Sequence, residues 1–209
     1  MTIAYVTFMK HAQKVTKTAS ASRPVLKGVH HAPDGSLVVT DSHRLYLAKG
    51  LHTNETSVIT DPKTGAAIDG NYPDVSRLIP DASDAKYIVR IMVDEAVNAF
   101  AALLKVNHAH SKKTDIMTTV TPAGTDDLAF TVSNSLLNAT YKPVCVVDGT
   151  GDAMTFNTQY FAEALAMFKD AGVTEVTMRY HGSVRPFTLS AGRDDELLAL
   201  LLPIRRAAD

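Results

Sequence analysis

Apolar residues fall at helical spacing in three stretches of this chain and in short alternating or continuous runs almost everywhere else. In TFMKHAQKVTKTA, residues 7–19, Phe8, Ala12 and Val15 share one face and Thr7 stands at the N-cap position. In VDEAVNAFAALLKV, residues 93–106, Val93, Ala96, Val97, Phe100, Leu103 and Leu104 recur at helical intervals behind Asp94 and Glu95, acids suited to a first turn. In NTQYFAEALAMFKDAG, residues 157–172, Asn157 is the N-cap, Phe161, Leu165 and Phe168 form the buried stripe, and Gly172 ends the helix. All three patterns are amphipathic, so each helix is expected to lay one side on a sheet.

Each expected helix follows a short strand and precedes several more. PVLKGVHHA and SLVVTDSHRLYLAKG come after the first; DIMTTVTPA, DDLAFTVSNSLLNATY and KPVCVVDG after the second; VTEVTMRYHG, RPFTLSAG and ELLALLLPI after the third. These runs are rich in β-branched residues and are separated by Gly, Pro and Asp turns. The order of strand, helix and several strands thus recurs three times. LVVTDSHRLYLA (37–48) lies over LAFTVSNSLLNA (128–139) without a gap. A repeat of this kind buries its helix on one sheet face and leaves the other side of the helix for solvent or a ligand. Between the first and second repeats, TDPKTGAAIDGNYPDVSRLIPDASD (60–84) is rich in Pro, Gly and Asp, with an apolar island at Leu78 and Ile79. It reads as a linker. The expected organisation is one unit over 1–60, a linker over 61–84 and a pair of units over 85–209.

Composition narrows the function classes. With 209 residues the chain has room for one large domain or two small ones, and 21 basic against 22 acidic residues give no global attraction to nucleic acid. No apolar run approaches the roughly 18 residues of a membrane span, and the bases near the N-terminus follow its apolar residues, the reverse of a secretory signal. A soluble, cytoplasmic protein without a membrane partner is expected. Cys145 is the only cysteine, so neither an intrachain disulfide nor a Cys-based metal site is available, and it is expected in the core. His30 and His31 should point to opposite faces of a strand, and His108 and His110 lack an acid or cysteine at ligand spacing, so no metal or cofactor is expected. No phosphate-cradling loop, nucleophile elbow or paired His-carboxylate motif is present, which argues against an enzyme.

Four collinear stretches resemble the bacterial DNA polymerase sliding clamp, the β subunit of the replicative polymerase: TDSHRLYLA at 40–48, DGNYPDVSRLIP at 69–80, FNTQYFAEAL at 156–165 and LLLPIR at 200–205. The resemblance implies an α+β DNA-clamp fold, antiparallel sheets with amphipathic helices on one face, in a ring of six similar two-unit domains around duplex DNA. The chain departs from that pattern. Only one unit precedes the linker, so half of the middle domain and the whole first domain have no counterpart, and a homo-oligomer other than the usual dimer is expected. Four chains of three units would supply the twelve units of such a ring.

The resemblance also implies a cleft for short clamp-binding peptides of the polymerase and other partners. It is built from Thr40, Ser42, His43, Arg44 and Leu45, from Pro73, Arg77 and Leu78 of the linker, and from Leu200, Leu202, Pro203 and Ile204 of the last strand. Leu45, Leu78, Leu200, Leu202 and Ile204 would form its apolar wall, while His43 and Arg44 orient carbonyls of the peptide. Ser42 stands where the family commonly has glycine. On its own, TDSHRL is equally a hairpin turn in which Asp41 caps its own backbone. Lys10, Lys14 and Lys17 lie on one stripe of the first helix with His11 beside it, placed for sequence-independent contact with DNA phosphates, and Lys112 and Lys113 add charge in a loop. Two functions fit. One is a processivity clamp that encircles DNA as an oligomer; the other is an adaptor or decoy that keeps the peptide cleft without encircling DNA.

Overall fold

The computed structural model describes residues 3–109 and 116–205. Helix α1 (Tyr5–Thr18) is followed by β1 (Val29–His31), β2 (Leu37–Thr40), β3 (Arg44–Ala48) and β4 (Val58–Thr60). After two short 3-10 turns come β5 (Tyr87–Met92), α2 (Val93–His108), β6 (Met117–Pro122), β7 (Leu128–Ser133), β8 (Asn138–Tyr141) and β9 (Val147–Gly149). The last group is β10 (Met154–Asn157), α3 (Thr158–Asp170), β11 (Glu175–Tyr180), β12 (Phe187–Ala191) and β13 (Leu197–Leu201). The fold is α+β, with every strand pairing antiparallel.

Helix ends follow their local chemistry. Asn157 caps α3, its side-chain oxygen accepting from Tyr160 N at 3.1 Å, and Gly172, at φ +73°, closes the other end with its N–H on Lys169 O at 2.8 Å. Thr7 is not an N-cap: α1 begins at Tyr5 behind Ala4, with no side-chain cap, and among the described residues no strand precedes it. Ile3 and Phe8, both buried, set that boundary by packing rather than by capping.

Three sets of three strands share one plan. In each, a helix is followed by a meander whose first strand is joined on its outer side by a fourth strand: β5 beside β11, β10 beside β6, and β4 beside β1. β5 and β10 are exchanged between the second and third repeats, so each of those repeats completes the other's sheet. The first repeat lacks such a partner and uses β4, the segment that follows it in sequence. Ile59 of β4 packs against Gly28, where a Cβ would come within 2.4 Å of Ile59 Cγ2. β4 thus closes the outer edge of the first repeat, and the chain beyond folds back through a Thr60–Ala67 bridge.

β3 and β13, the third strands of the first and last repeats, pair with each other and fuse their meanders into a sheet of nine strands ordered β4-β1-β2-β3-β13-β12-β11-β5-β9; the second sheet is β10-β6-β7-β8. The main core lies between the sheets and the helices. It is centred on Phe100, Phe130, Phe156, Phe161 and Phe187, with Phe100 and Phe161 stacked at 4.4 Å. A smaller cluster of Val38, Leu45, Val75, Leu198 and Leu200 lies on the far face of the large sheet, beneath the linker. Covering both faces explains why LVV and LLALL are continuous apolar runs rather than alternating ones. Cys145 is half-buried rather than in the core proper, between the exposed Val144 and Val146.

The gapless overlay of 37–48 on 128–139 holds for β2 and β7 and slips afterwards. Thr40 pairs with Leu45, but Thr131, its counterpart, pairs with Thr140. The second hairpin is longer, and Leu136 and Leu137 fall in its turn, exposed.

Candidate functional site

The turn between β2 and β3 is organised by one carboxylate. Asp41 Oδ1 accepts from the backbone N–H of His43 (2.9 Å) and Arg44 (3.0 Å), while Oδ2 accepts from Thr18 Oγ1 (2.6 Å) and Arg44 Nε (3.1 Å). Asp41 is buried, so these bonds replace its hydration. Ser42 at the apex has φ +76°.

Side chains alternate across β3, and this separates Arg44 from Leu45. Leu45 faces the linker; Arg44, 2% exposed, faces the helices. Its guanidinium pairs with Asp41 and with Glu163 of α3, donates to Lys14 O at 3.1 Å, and lies 4.2 Å from the Tyr160 ring centroid. Arg44 thus borders the cleft but is not free to orient a ligand's carbonyl. It ties the turn to α1 and α3.

A cleft of about 250 Å³ opens on the other side of this turn. Thr40, Ser42, His43, Arg44, Leu45, Pro73, Leu78, Leu200 and Leu202 all border it. Leu202 is placed by its N–H bond to His43 O (3.0 Å), which extends the β3–β13 pairing. Tyr72 fixes the linker, accepting from Thr40 N at 3.0 Å and stacking on His30 at 5.0 Å. Three expected residues do not line the cleft. Arg77 extends into solvent, its Nε 3.6 Å from Asp74 Oδ2. Pro203 bridges to Phe156 and Ile204 N donates to Thr155 O at 2.7 Å, because the chain after β13 turns to cover the edge of β10. Arg23, Leu26, Asp74, Val75 and Pro186 complete the lining. Leu26 and Pro186 stand in PVLKGVHHA and RPFTLSAG, runs whose pattern reads only as strand, so nothing in the sequence marked them for the cleft.

On the helix side, Lys10, Lys14 and Lys17 border a groove of about 580 Å³ together with Lys27 and Lys63. Lys10 pairs with Asp170 at 3.1 Å. His11 is not beside the stripe on the surface; it is buried, its Nε2 2.9 Å from Asp170 Oδ2, and burial holds its pKa below the ordinary value despite that carboxylate. On α2 and α3, Asp94 and Lys169 pair at 2.9 Å, so charge there is largely compensated. Lys112, Lys113 and His110 lie outside the described residues. His31 points toward Tyr5 and His52, and His30 toward Ser57 and Tyr72 on the opposite face.

Superposed on solved structures, the chain matches a DNA polymerase sliding clamp from Bacillus subtilis over 99% of its own length and 65% of that chain, with a TM-score of 0.80 at 20% identity. The carrier of this match is the whole arrangement of repeats and sheets just described. The chain has the sliding-clamp fold. A second clamp structure, the DNA polymerase III beta chain of Streptococcus pneumoniae, gives a TM-score of 0.78 at 22% identity, covering 98% of this chain and 64% of that one. No protein-family model matches. Among curated proteins, the beta sliding clamp of Lactococcus lactis is 29% identical over 146 residues, covering 66% of this chain and 35% of the relative. That of Bacillus subtilis is 24% identical over 233 positions, covering 90% of this chain and 59% of the relative. The chain therefore spans less than two thirds of the curated clamps it matches. The Bacillus subtilis match is longer than the 209 residues of this chain, so that clamp holds residues inside the matched span for which this chain has no counterpart.

Proposed function

We propose that this chain is a compact clamp-like replication factor that captures short peptides of a DNA polymerase and other replication proteins in the cleft between its first repeat, its linker and its last strand. The observation that carries this reading is the cleft itself. Leu26, Leu45, Val75, Leu78, Leu200 and Leu202 make its apolar wall, and Ser42 and His43 supply polar groups at the rim. Such a surface suits an extended peptide with aliphatic or aromatic anchors. In this proposal Arg44 positions the turn rather than touching the peptide. The units 1–60 and 85–209 are two clamp modules joined by the linker 61–84, and the groove of Lys10, Lys14, Lys17, Lys27 and Lys63 faces the phosphates of duplex DNA.

The adaptor reading is favoured by one feature: β4 closes the first repeat from within the same chain, so that repeat needs no partner to complete its sheet.

Two measurements on the same protein test the two arms. A fluorescent clamp-binding peptide is expected to bind the unaltered protein, and Leu202→Asp is expected to weaken binding at least tenfold, about 1.4 kcal/mol or more. Undiminished affinity in that variant overturns the cleft assignment. The same protein loaded on circular DNA is expected to be retained, with retention falling on reversal of Lys10, Lys14 and Lys17 to Glu and with added salt. Peptide binding without retention on DNA leaves the adaptor.

A further inference from the structure

Where the linker covers the far face of the large sheet, its strands are apolar throughout; where that face is open to water, apolar and polar residues should alternate. β11 alternates: Val176, Met178 and Tyr180 are buried, while Glu175, Thr177 and Arg179 point the other way. Its neighbour β5 does not. Tyr87, Val89 and Ile91 enter the core, but the far face carries Ile88 and Met92 on either side of Arg90, and Met92 is 48% exposed.

The chain leading into β9 adds to this face. Asp148 pairs opposite Ile88, so Val146 and Val144, two and four residues before it, share its side of the sheet. They are 69% and 92% exposed. With Ile88 and Met92 they line an open groove of about 950 Å³, and no residue of the linker reaches it. Acids surround the groove. Asp148 stands at the Ile88 end, Glu175 stands opposite Met92 at the other, and Asp126 lies on the rim. Arg90, the one base among the described lining residues, lies 3.8 Å from Glu175, and nearby Lys142 is taken by Asp127 at 2.9 Å. Among the described residues no base pairs with Asp126 or Asp148, so the lining carries an excess of acids. Their field reaches Cys145 in the groove: burial raises its thiol above the ordinary pKa, and Asp126, Asp127 and Glu95 raise it further.

We infer that this groove is a docking site for an extended basic segment of a partner protein, one that presents aliphatic side chains to Ile88, Met92, Val144 and Val146 and a lysine or arginine to the acids at each end. The row from Ile88 to Met92 spans about 13 Å, four residues at roughly 3.4 Å each, which an extended segment of about five residues matches. Aliphatic contact withdraws the exposed apolar surface from water, and charge selects bases over acids. β12 and β11 separate this face from the cleft on β3 and β13, and the inference uses neither the cleft nor the lysine groove.

The probes are two dye-labelled peptides of alternating leucine and threonine, one ended on both sides by lysine and the other by glutamate. Fluorescence anisotropy is expected to show the lysine peptide bound at least tenfold more tightly, with the difference shrinking as salt is added. Bound peptide is expected to slow alkylation of Cys145, the only cysteine, which places it in the groove. Asp148→Lys with Glu175→Lys, both exposed, is expected to reverse the order, so that the glutamate peptide binds better. Leu202→Asp, in the apolar cleft, is expected to leave both affinities unchanged. Equal affinities, an order that the paired lysine variant does not reverse, or binding that leaves Cys145 reacting at its free rate overturns the inference. Loss of binding in Leu202→Asp places the peptide in the cleft and overturns it too. Alkylation that slows with rising protein concentration before any peptide is added has the same force, since a second copy then covers the face.

Discussion

Ser42 adopts φ +76°, a region where a residue with a Cβ is held at a cost of about 1 kcal/mol. It is kept there by its neighbours: Asp41 gathers the N–H groups of His43 and Arg44, Ser42 N donates to Thr40 Oγ1 at 3.2 Å, and Arg23 Nη1 donates to Ser42 Oγ at 3.1 Å. Ser42→Gly removes the strain and the exposed Arg23 bond while adding freedom to the unfolded chain. The expected net is a gain of about 0.5 kcal/mol, read as a higher urea midpoint; a lower midpoint means that the Arg23 contact matters more than the backbone. The sequence showed part of this turn. Five polar residues between two apolar runs mark a hairpin, and an aspartate there is a ready cap for its own backbone. The direction of Arg44 was hidden, because it depends on strand register: one position along β3 exchanges the cleft face for the helix face. For the same reason the link from Arg44 to Glu163, 119 residues away, leaves no local trace.

Among the elements, β4 is the one the sequence concealed. Val58, Ile59 and Thr60 are three residues at the head of a stretch whose Pro, Gly and Asp content reads as linker, and so short a run has no period to detect. Longer elements were legible. The stripe of α2, the Asn157 cap and the Gly172 stop of α3 all occur as their residue types require. Leu136 and Leu137 were read as strand through the gapless overlay, and the longer second hairpin displaced them into a turn. The seating of β4 depends on the missing side chain at Gly28, where a Cβ would lie 2.4 Å from Ile59 Cγ2 and 3.2 Å from Thr60 O. Gly28→Val is therefore expected to push β4 off β1 at a cost of about 1–3 kcal/mol. Amide hydrogens of residues 58–60 should then exchange faster, while those of β11 and β12, far along the sheet, stay protected. Uniform loss of protection across the sheet argues that β4 belongs to the cooperative core rather than serving as a local cover.

At the scale of the whole molecule, buried histidines make stability depend on pH in a narrow window. His11, His31 and His181 are each at most 3% exposed, and burial, the largest influence on each, holds its pKa below the ordinary 6.5. The groups around them do not reverse this. His11 faces Asp170 but also Lys14 and Lys10; His31 faces His52, with His30 adjoining on the other side of the strand; His181 faces Asp84 but also Arg185 and Arg179. In the unfolded chain the three imidazoles take up protons as pH falls through 6.5, whereas in the fold they resist doing so. The unfolded state thus binds more protons, and stability is fully present above that pH and declines below it, by at most about 1.4 kcal/mol per histidine for each pH unit. Carboxylates act later: Asp170, held below its ordinary 3.8 by Lys10 and His11, gives up its contribution only in stronger acid. The urea midpoint is accordingly expected to be level from pH 8 to about 7 and to fall between about 6.5 and 5, before the carboxylates titrate. His31→Phe should flatten part of that fall, because the ring that refuses the proton is gone. A midpoint that stays level to pH 5 would show that these imidazoles admit protons without opening the fold. The three sites lie on α1, on β1 and just after β11, so acid loosens the helix layer and the large sheet together, and the lysine groove and the apolar cleft should be lost over the same range.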